Sequence, residues 1–171
     1  MTVIINEWLP DPEGADAEGE FIELFNNGQA VEPLAGWSIK DKSGKQFNLT
    51  GKTIEAGEFL VLPYKETKIT LNNKDEEVTL LREGQVVDKT VFSGPAVSGQ
   101  SFSRGGEFFS FTEPTPGAAN KVVEAGTGVV VGDEAIAAGT AMPMILTAVA
   151  VGLVFGAMAG YGYKLITNHE P

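Results

Sequence analysis

The sequence predicts an all-β domain, either a sandwich or a small barrel, followed by a flexible tether and a single transmembrane helix. Three observations lead to this prediction. Apolar and polar residues alternate with a period of two through the first two thirds of the chain. Turn-forming residues interrupt the alternation about every 8 to 12 positions, and the chain contains 21 glycines and 9 prolines. Near its end the chain instead carries a long apolar run without charged side chains.

Each alternating segment is predicted to be a short strand. In the second of them, Ile22 and Leu24 lie on one face, whereas Phe21, Glu23 and Phe25 lie on the other. Residues rich in glycine, asparagine and aspartate provide the turns between strands. The predicted strands are residues 3–9, 20–25, 37–40, 46–49, 59–62, 69–71, 78–81, 86–92 and 108–111, with a further strand at Phe102.

The β region is predicted to end at residues 114–120, because two prolines and a glycine in this segment cannot continue a strand ladder. The following 20 residues combine glycine, alanine and valine with few charges, which is typical of a flexible tether. We therefore divide the chain into a β domain (1–120), a linker (121–140), a transmembrane helix (141–166) and a short C-terminal tail (167–171).

The transmembrane helix is predicted because no charged side chain occurs from Ala135 to Tyr163, a run of 29 residues. Twenty residues of helix span about 30 Å, the thickness of the hydrocarbon core of a bilayer. Acidic residues precede the run and Lys164 follows it, which favours a cytoplasmic C-terminus. We expect a single-pass membrane protein with lipid around residues 141–166 and the β domain outside the cytoplasm. No signal peptide is visible, so either a leader was removed or the protein is tail-anchored with a cytosolic domain.

Three glycines within the predicted span favour self-association. Gly152, Gly156 and Gly160 recur every four residues, so they lie near one face of the helix. Small residues at this spacing let a second helix approach closely in the membrane. A homodimer through this glycine face is therefore expected, and the alternative is that glycine is simply frequent in membrane helices.

The composition excludes several classes of function. The chain has 23 acidic and 12 basic residues, and its net charge of −11 repels the phosphate backbone of nucleic acids. The absence of cysteine excludes disulfides, thiol nucleophiles and cysteine-ligated metals. The single histidine, His169, lies near the end of the sequence, so histidine acid–base catalysis and multi-histidine metal sites are not expected. No cofactor is expected, apart from the calcium discussed below.

The β region contains a series of sequence blocks in a fixed order: INE at 5–7, GEFIELFN at 19–26, LAGWSIKD at 34–41, LNN at 71–73, VTLL at 78–81, VVD at 86–88, GQSFSR at 99–104 and PTPGAAN at 114–120. Together these blocks resemble a lamin-tail domain of the bacterial type. The resemblance implies an immunoglobulin-like β-sandwich and a non-catalytic module of a kind found in nuclear lamins and in secreted or surface-anchored bacterial proteins. It implies no particular ligand, and the absence of a heptad run means that the filament role of lamins does not carry over.

An acidic loop between the first two strands is a candidate calcium site. It contains Asp11, Glu13, Asp16 and Glu18, and residues 1–34 include no lysine or arginine. Calcium takes six to eight oxygen ligands, often from loops of this kind. The spacing lacks the full EF-hand pattern, so a solvated acidic loop is the alternative.

Four other side chains have predicted roles. Trp37 is expected in the core, because a buried aromatic side chain contributes a large apolar area. Glu20 and Glu23 are expected on opposite faces of one strand, so they cannot form a paired-carboxylate catalytic site. Arg104 is expected to pair with a strand carboxylate such as Glu23 or Asp88.

These features predict a membrane-anchored, non-catalytic β-sandwich for binding or surface display, whose partner is a protein, a polysaccharide or a second copy. One alternative is a divalent-metal-dependent hydrolase, which requires carboxylates from distant segments to meet in a pocket. A second alternative is a nucleic-acid or chromatin-binding module, which requires a basic patch. The candidate patch consists of Lys40, Lys42, Lys45 and Lys52.

Overall fold

In residues 2–121, the part of the chain that the computed structural model describes, the alternating pattern produces eleven strands and two short helices. Most strands are joined by tight turns, as expected for a chain rich in glycine. The elements are β1 (Val3–Leu9), α1 (Asp16–Gly19), β2 (Phe21–Asn26), β3 (Glu32–Pro33), β4 (Trp37–Asp41), β5 (Gln46–Asn48), β6 (Thr53–Ile54), β7 (Phe59–Pro63), α2 (Tyr64–Thr67), β8 (Glu77–Arg82), β9 (Gln85–Val91), β10 (Ser101–Gly105) and β11 (Phe108–Thr112).

The strands form two main antiparallel sheets. The first sheet has the order β11-β10-β1-β2-β7, and the second has the order β5-β4-β8-β9. The short strands β3 and β6 form a separate pair. This arrangement confirms the predicted all-β class and is consistent with an immunoglobulin-like sandwich.

The core lies between the two sheets because every second side chain of the central strands points inward. Ile22 and Leu24 of β2 are buried there, as the alternation predicted. Trp37 of β4 is 1% exposed, so its predicted position in the core is also confirmed. Trp8 stacks on Phe92 at a ring-centroid distance of 5.2 Å, which joins the two sheets at one end of the core.

At a β-bulge in β1, side chains instead of a neighbouring strand form hydrogen bonds with the backbone groups of Ile5. The register of β1 against β2 shifts between Ile5 and Glu7. At this point the N–H of Ile5 donates to Asp88 Oδ2 (2.8 Å), and Arg104 Nε donates to the carbonyl of Ile5 (2.7 Å). Arg104 and Asp88 form an ion pair of 2.5 Å. Of the two predicted partners of Arg104, Asp88 is therefore the correct one and Glu23 is not.

Residues 69–71, predicted to be a strand, form no strand in the structure. They follow α2 and its C-cap residue Lys68, which adopts the left-handed conformation (φ 57°). Side chains replace a partner strand here: the N–H of Ile69 donates to Thr67 Oγ1, and the N–H of Leu71 donates to Glu20 Oε1. The apolar pattern correctly predicted that Ile69 and Leu71 are buried, since each is 2% exposed. Their backbone conformation is set by the hydrogen bonds from Ile69 and Leu71 to Thr67 and Glu20, and not by a partner strand.

The predicted linker, transmembrane helix, glycine face (Gly152, Gly156 and Gly160) and C-terminal tail lie outside the described residues. Within residues 2–121, neither helix has the length and apolar character needed to cross a membrane.

Candidate functional site

Two buried carboxylates lie side by side on the outer face of the first sheet. Glu7 of β1 and Glu23 of β2 are cross-strand partners, and both are completely buried. Their neighbours Trp8 and Ile22 point into the core, so the two glutamates point away from it. The sequence analysis excluded a pair between Glu20 and Glu23 but did not foresee this one.

The chain that follows β11 covers these carboxylates. We call Glu113–Lys121 the strap. Thr115 in the strap donates to Glu7 from both its N–H (2.9 Å) and its hydroxyl (3.1 Å). The N–H of Gly117 donates to Glu23 Oε2 at 2.5 Å. The strap thus supplies donors that the outer face of the sheet alone lacks.

The sheet itself supplies the remaining donors. Ser101 and Ser103 of β10 donate their hydroxyls to Glu7 Oε1, the latter at 3.3 Å. The side-chain amide of Asn6, the bulged residue of β1, donates to Glu23 Oε1 at 2.7 Å. Each oxygen of both carboxylates therefore accepts at least one hydrogen bond, as buried charged groups require.

Asn120 fastens the end of the strap to the sheet. Its Nδ2 group donates to the carbonyls of Asn6 and Arg104, both at 3.0 Å. Its Oδ1 atom accepts from Asn6 Nδ2 at 3.1 Å and lies 3.2 Å from the Thr115 hydroxyl, which shares its single proton between this atom and Glu7 Oε2. A single amide thus connects β1, β10 and the strap.

Burial raises the pKa of Glu23 above its usual value, and the nearby Glu7 carboxylate adds to this effect. The hydrogen bonds from Gly117 and Asn6 act in the opposite direction because they favour the charged form. The pair is closed to solvent and its acceptor sites are occupied. Its arrangement suits it to hold the strap in place rather than to exchange protons with a bound molecule.

A cleft of about 310 Å³ opens beside the fastened end of the strap. The rings of Phe25 and Phe59 stack there at a centroid distance of 4.7 Å, and both are half-buried. The charge of Arg104 is neutralised by Asp88, so it gives the cleft little net charge. The lining residues are Asn6, Phe25, Phe59, Arg104, Gly105, Gly106, Ala119 and Asn120.

The four residues of the predicted calcium site do not point to a common centre. Asp11 Oδ1 accepts from Asn73 Nδ2 at 3.2 Å, and Glu13 lies against Gly99. Asp16 and Glu18 are exposed on α1. Among residues 2–121, no group of three or more acidic or histidine side chains has a geometry that could hold a metal ion. Calcium binding at this loop stays a prediction.

Three of the four lysines in the candidate basic patch are engaged within the domain. Lys42 donates to the carbonyl of Asp75 at 2.6 Å, and Lys45 donates to the carbonyl of Lys68. Lys52 pairs with Glu66. Of the three, only Lys52 is neutralised by an acidic partner, whereas the carbonyl contacts hold the Lys42 and Lys45 side chains in place and leave their charges.

Comparison with known families identifies the fold. The family model of the Lamin Tail Domain matches residues 1–94, more than half of the chain. The chain belongs to the lamin tail domain family. A search of curated proteins found no match. In this lamin tail domain, the match covers β1 to β9, whereas β10, β11 and the strap lie beyond it.

The sequence analysis missed the roles of Asn6, Glu7 and Thr115 in this lamin tail domain. A signal for them was present, since each lies in a block that resembled the family. A glutamate on a predicted strand, on the face opposite to its apolar neighbours, is normally assigned to solvent. Only the tertiary structure shows that a later segment covers that face.

Proposed function

We propose that this lamin tail domain is a non-catalytic binding module that a C-terminal helix displays on a membrane. The observation that carries the non-catalytic part is the closure of Glu7 and Glu23 by the strap. These two carboxylates are cross-strand partners, and neither faces the cleft with a free oxygen. Ser101, which could act as a nucleophile, donates its hydroxyl to Glu7, and within residues 2–121 no histidine or lysine is hydrogen-bonded to it as a base.

The cleft beside Phe25 and Phe59 is the proposed binding surface. Its two stacked rings offer apolar surface, and its polar atoms are mostly occupied within the domain. Such a surface suits an uncharged group, such as a sugar ring or an apolar side chain, better than an anion. We therefore retain a polysaccharide or a protein as the partner class.

Binding at the cleft is tested by comparing the wild-type domain with Phe59→Ala on immobilised neutral polysaccharides and on peptide arrays. We expect the variant to lose binding to one of these two panels. Phe108→Ala is the matched control, because Phe108 is 48% exposed and does not line the cleft. Binding that both variants retain would place the partner elsewhere.

The membrane part of the proposal is supported by the sequence. The run of 29 uncharged residues has the length of a membrane span, and the residues before it resemble a tether. Lys164 after the run supports a cytoplasmic C-terminus with the β domain outside. In this arrangement the binding module would face extracellular partners, and a homodimer through Gly152, Gly156 and Gly160 would present two modules together.

Protease treatment of intact cells tests this orientation. We expect the β domain of the full chain to be digested without permeabilisation, and the protein to stay with the membrane after alkaline carbonate extraction. The matched control is a chain ending at residue 134, which lacks the apolar run. A domain protected on intact cells but digested after permeabilisation would favour the tail-anchored, cytosolic alternative.

The metal-dependent hydrolase is the weaker candidate, because the acidic loop of Asp11, Glu13, Asp16 and Glu18 is mostly exposed and does not converge. The nucleic-acid-binding alternative is weakened by the net charge of −11, which repels a phosphate backbone.

A further inference from the structure

Glu20, just before β2, differs from the other buried glutamates of the domain. It is 2% exposed, and its Oε1 atom accepts from the N–H of Leu71 at 3.1 Å. Its Oε2 atom is buried without a hydrogen-bond partner among residues 2–121. By contrast, Glu7, Glu23 and Glu76 accept hydrogen bonds at both oxygens.

The charges that act on Glu20 are negative. Asp16 acts on it from α1, and Glu76 acts on it from the segment before β8. Glu76 is itself fully buried, and its oxygens accept from the N–H groups of Lys42 and Asn72. From α2, the N–H of Tyr64 donates to the backbone carbonyl of Glu20 and not to its carboxylate. No described cation neutralises the Glu20 carboxylate.

A carboxylate in this position is most stable when it is protonated. An ionised oxygen that is buried without a donor loses its hydration and gains nothing in return. Protonation removes the charge, ends the repulsion from Asp16 and Glu76, and converts the oxygen into a donor. Burial, followed by these two neighbouring charges, raises the pKa of Glu20 from 4.5 to about 7, despite the opposing bond from Leu71.

Glu20 also lies where three segments meet at one end of the sandwich. The helix α1 precedes it directly, α2 is bonded to its carbonyl, and the segment at Leu71 is bonded to its side chain. The loop that precedes α1 also contacts the loop after β9, because the N–H of Gly99 donates to the carbonyl of Asp11 at 2.7 Å. Neither helix has a side-chain cap at its N-terminus, so both depend on such contacts.

We propose that Glu20 is a proton switch that controls the order of this end of the domain near neutral pH. The protonated form holds residues 10–20 and 64–76 together. The ionised form repels Asp16 and Glu76 and leaves the buried Oε2 atom charged without a donor, and these costs exceed the gain from its stronger bond with the N–H of Leu71. Since the carboxyl binds its proton more tightly in the closed state, the stabilisation is complete below about pH 4.5 and is lost as the pH rises through about 7.

Hydrogen exchange of the full chain in detergent micelles at pH 6 and pH 8 tests the switch. The raised pKa predicts that the protection of residues 10–20 and 64–76, corrected for intrinsic exchange rates, falls roughly tenfold between these pH values. Residues 37–41 of β4 should stay more strongly protected than these two segments at both pH values. Glu20→Gln should remove the pH dependence, and Glu55→Gln, at an exposed position outside these segments, should leave it unchanged.

Carbon-13 titration of the Glu20 carboxyl in the wild-type chain gives a result that does not depend on a variant. A midpoint near 7 supports the switch, and Asp16→Asn should lower that midpoint by removing one neighbouring charge. A midpoint near 4.5 would overturn the proposal. So would protection of residues 10–20 and 64–76 at pH 8 that equals the protection of β4, because this end of the domain would then open only when the whole domain unfolds. Protection restored at pH 8 by calcium chloride in the wild type but not in Glu20→Gln would also overturn it, since a cation would then hold the oxygen.

Discussion

Replacing Asn120 by alanine should destabilise the domain more than an exposed substitution does, because this amide holds the strap on the sheet. The change removes donors to the carbonyls of Asn6 and Arg104 and acceptor contacts with Asn6 and Thr115, all between 3.0 and 3.2 Å. A hydrogen bond contributes about 1 kcal/mol net, so these four contacts set an upper estimate of about 4 kcal/mol. Water entering from the adjacent cleft can rehydrate part of the site, so we expect a loss of about 2 to 3 kcal/mol.

Urea denaturation of residues 1–121, followed by tryptophan fluorescence, measures this loss. Asn48→Ala is the matched control, because Asn48 is exposed and its side chain accepts only from the nearby N–H of Thr50. We expect this control to change stability by about 0.5 kcal/mol or less. Asn120→Asp separates the shape of the side chain from its hydrogen-bonding role, because it keeps the shape but removes the donors. It also places a negative charge near Glu23, so its destabilisation should increase as the pH rises. If Asn120→Ala and Asn48→Ala had equal effects, the strap would not depend on this amide.

Four further predictions concern the core, the boundary, the pH dependence and the membrane helix. Trp37→Ala should destabilise the domain by about 3 to 5 kcal/mol in the same denaturation assay, and a loss below about 1 kcal/mol would be inconsistent with its burial. Residues 1–120 should give a folded circular dichroism spectrum, whereas residues 1–112, which lack the strap, should not, because Glu7 and Glu23 would lose donors. The free energy of unfolding of residues 1–121 should fall by up to about 3 kcal/mol between pH 5 and pH 8, because the raised pKa of Glu20 lets the folded state bind a proton that the unfolded chain releases. Glu20→Gln should remove most of this fall. Gly156→Ile should abolish cross-linking of residues 135–171 in membranes, and equal cross-linking with the native glycine would exclude the glycine face.

The alternation of apolar and polar residues was sufficient to predict the layers of the fold. It placed Ile22, Leu24 and Trp37 in the core correctly, because period-two burial depends on backbone geometry alone. It could not predict β3 and β6, since a two-residue strand has no measurable period.

The same pattern could not predict the site, for a different reason. Whether Glu7 and Glu23 face solvent or are covered depends on where residues some 90 to 110 positions later return to the sheet. That return depends on Thr115, Gly117 and Asn120, whose types also suit an ordinary turn. The sequence analysis therefore interpreted 114–120 only as the end of the β region, although these residues cover its outer face.

Three carboxylates of one domain show how burial and hydrogen bonding together decide what a glutamate does. Glu7 and Glu23 accept hydrogen bonds at every oxygen from the strap and the neighbouring strands, so these contacts fix the position of the strap. Glu20 has one donor, an unpartnered oxygen and acidic neighbours, so its charged form is disfavoured near neutral pH. Because all three are buried, exposure alone does not distinguish them; the number of donors that reach each oxygen does. The strap should accordingly stay closed over the pH range in which the end of the domain at Glu20 loosens.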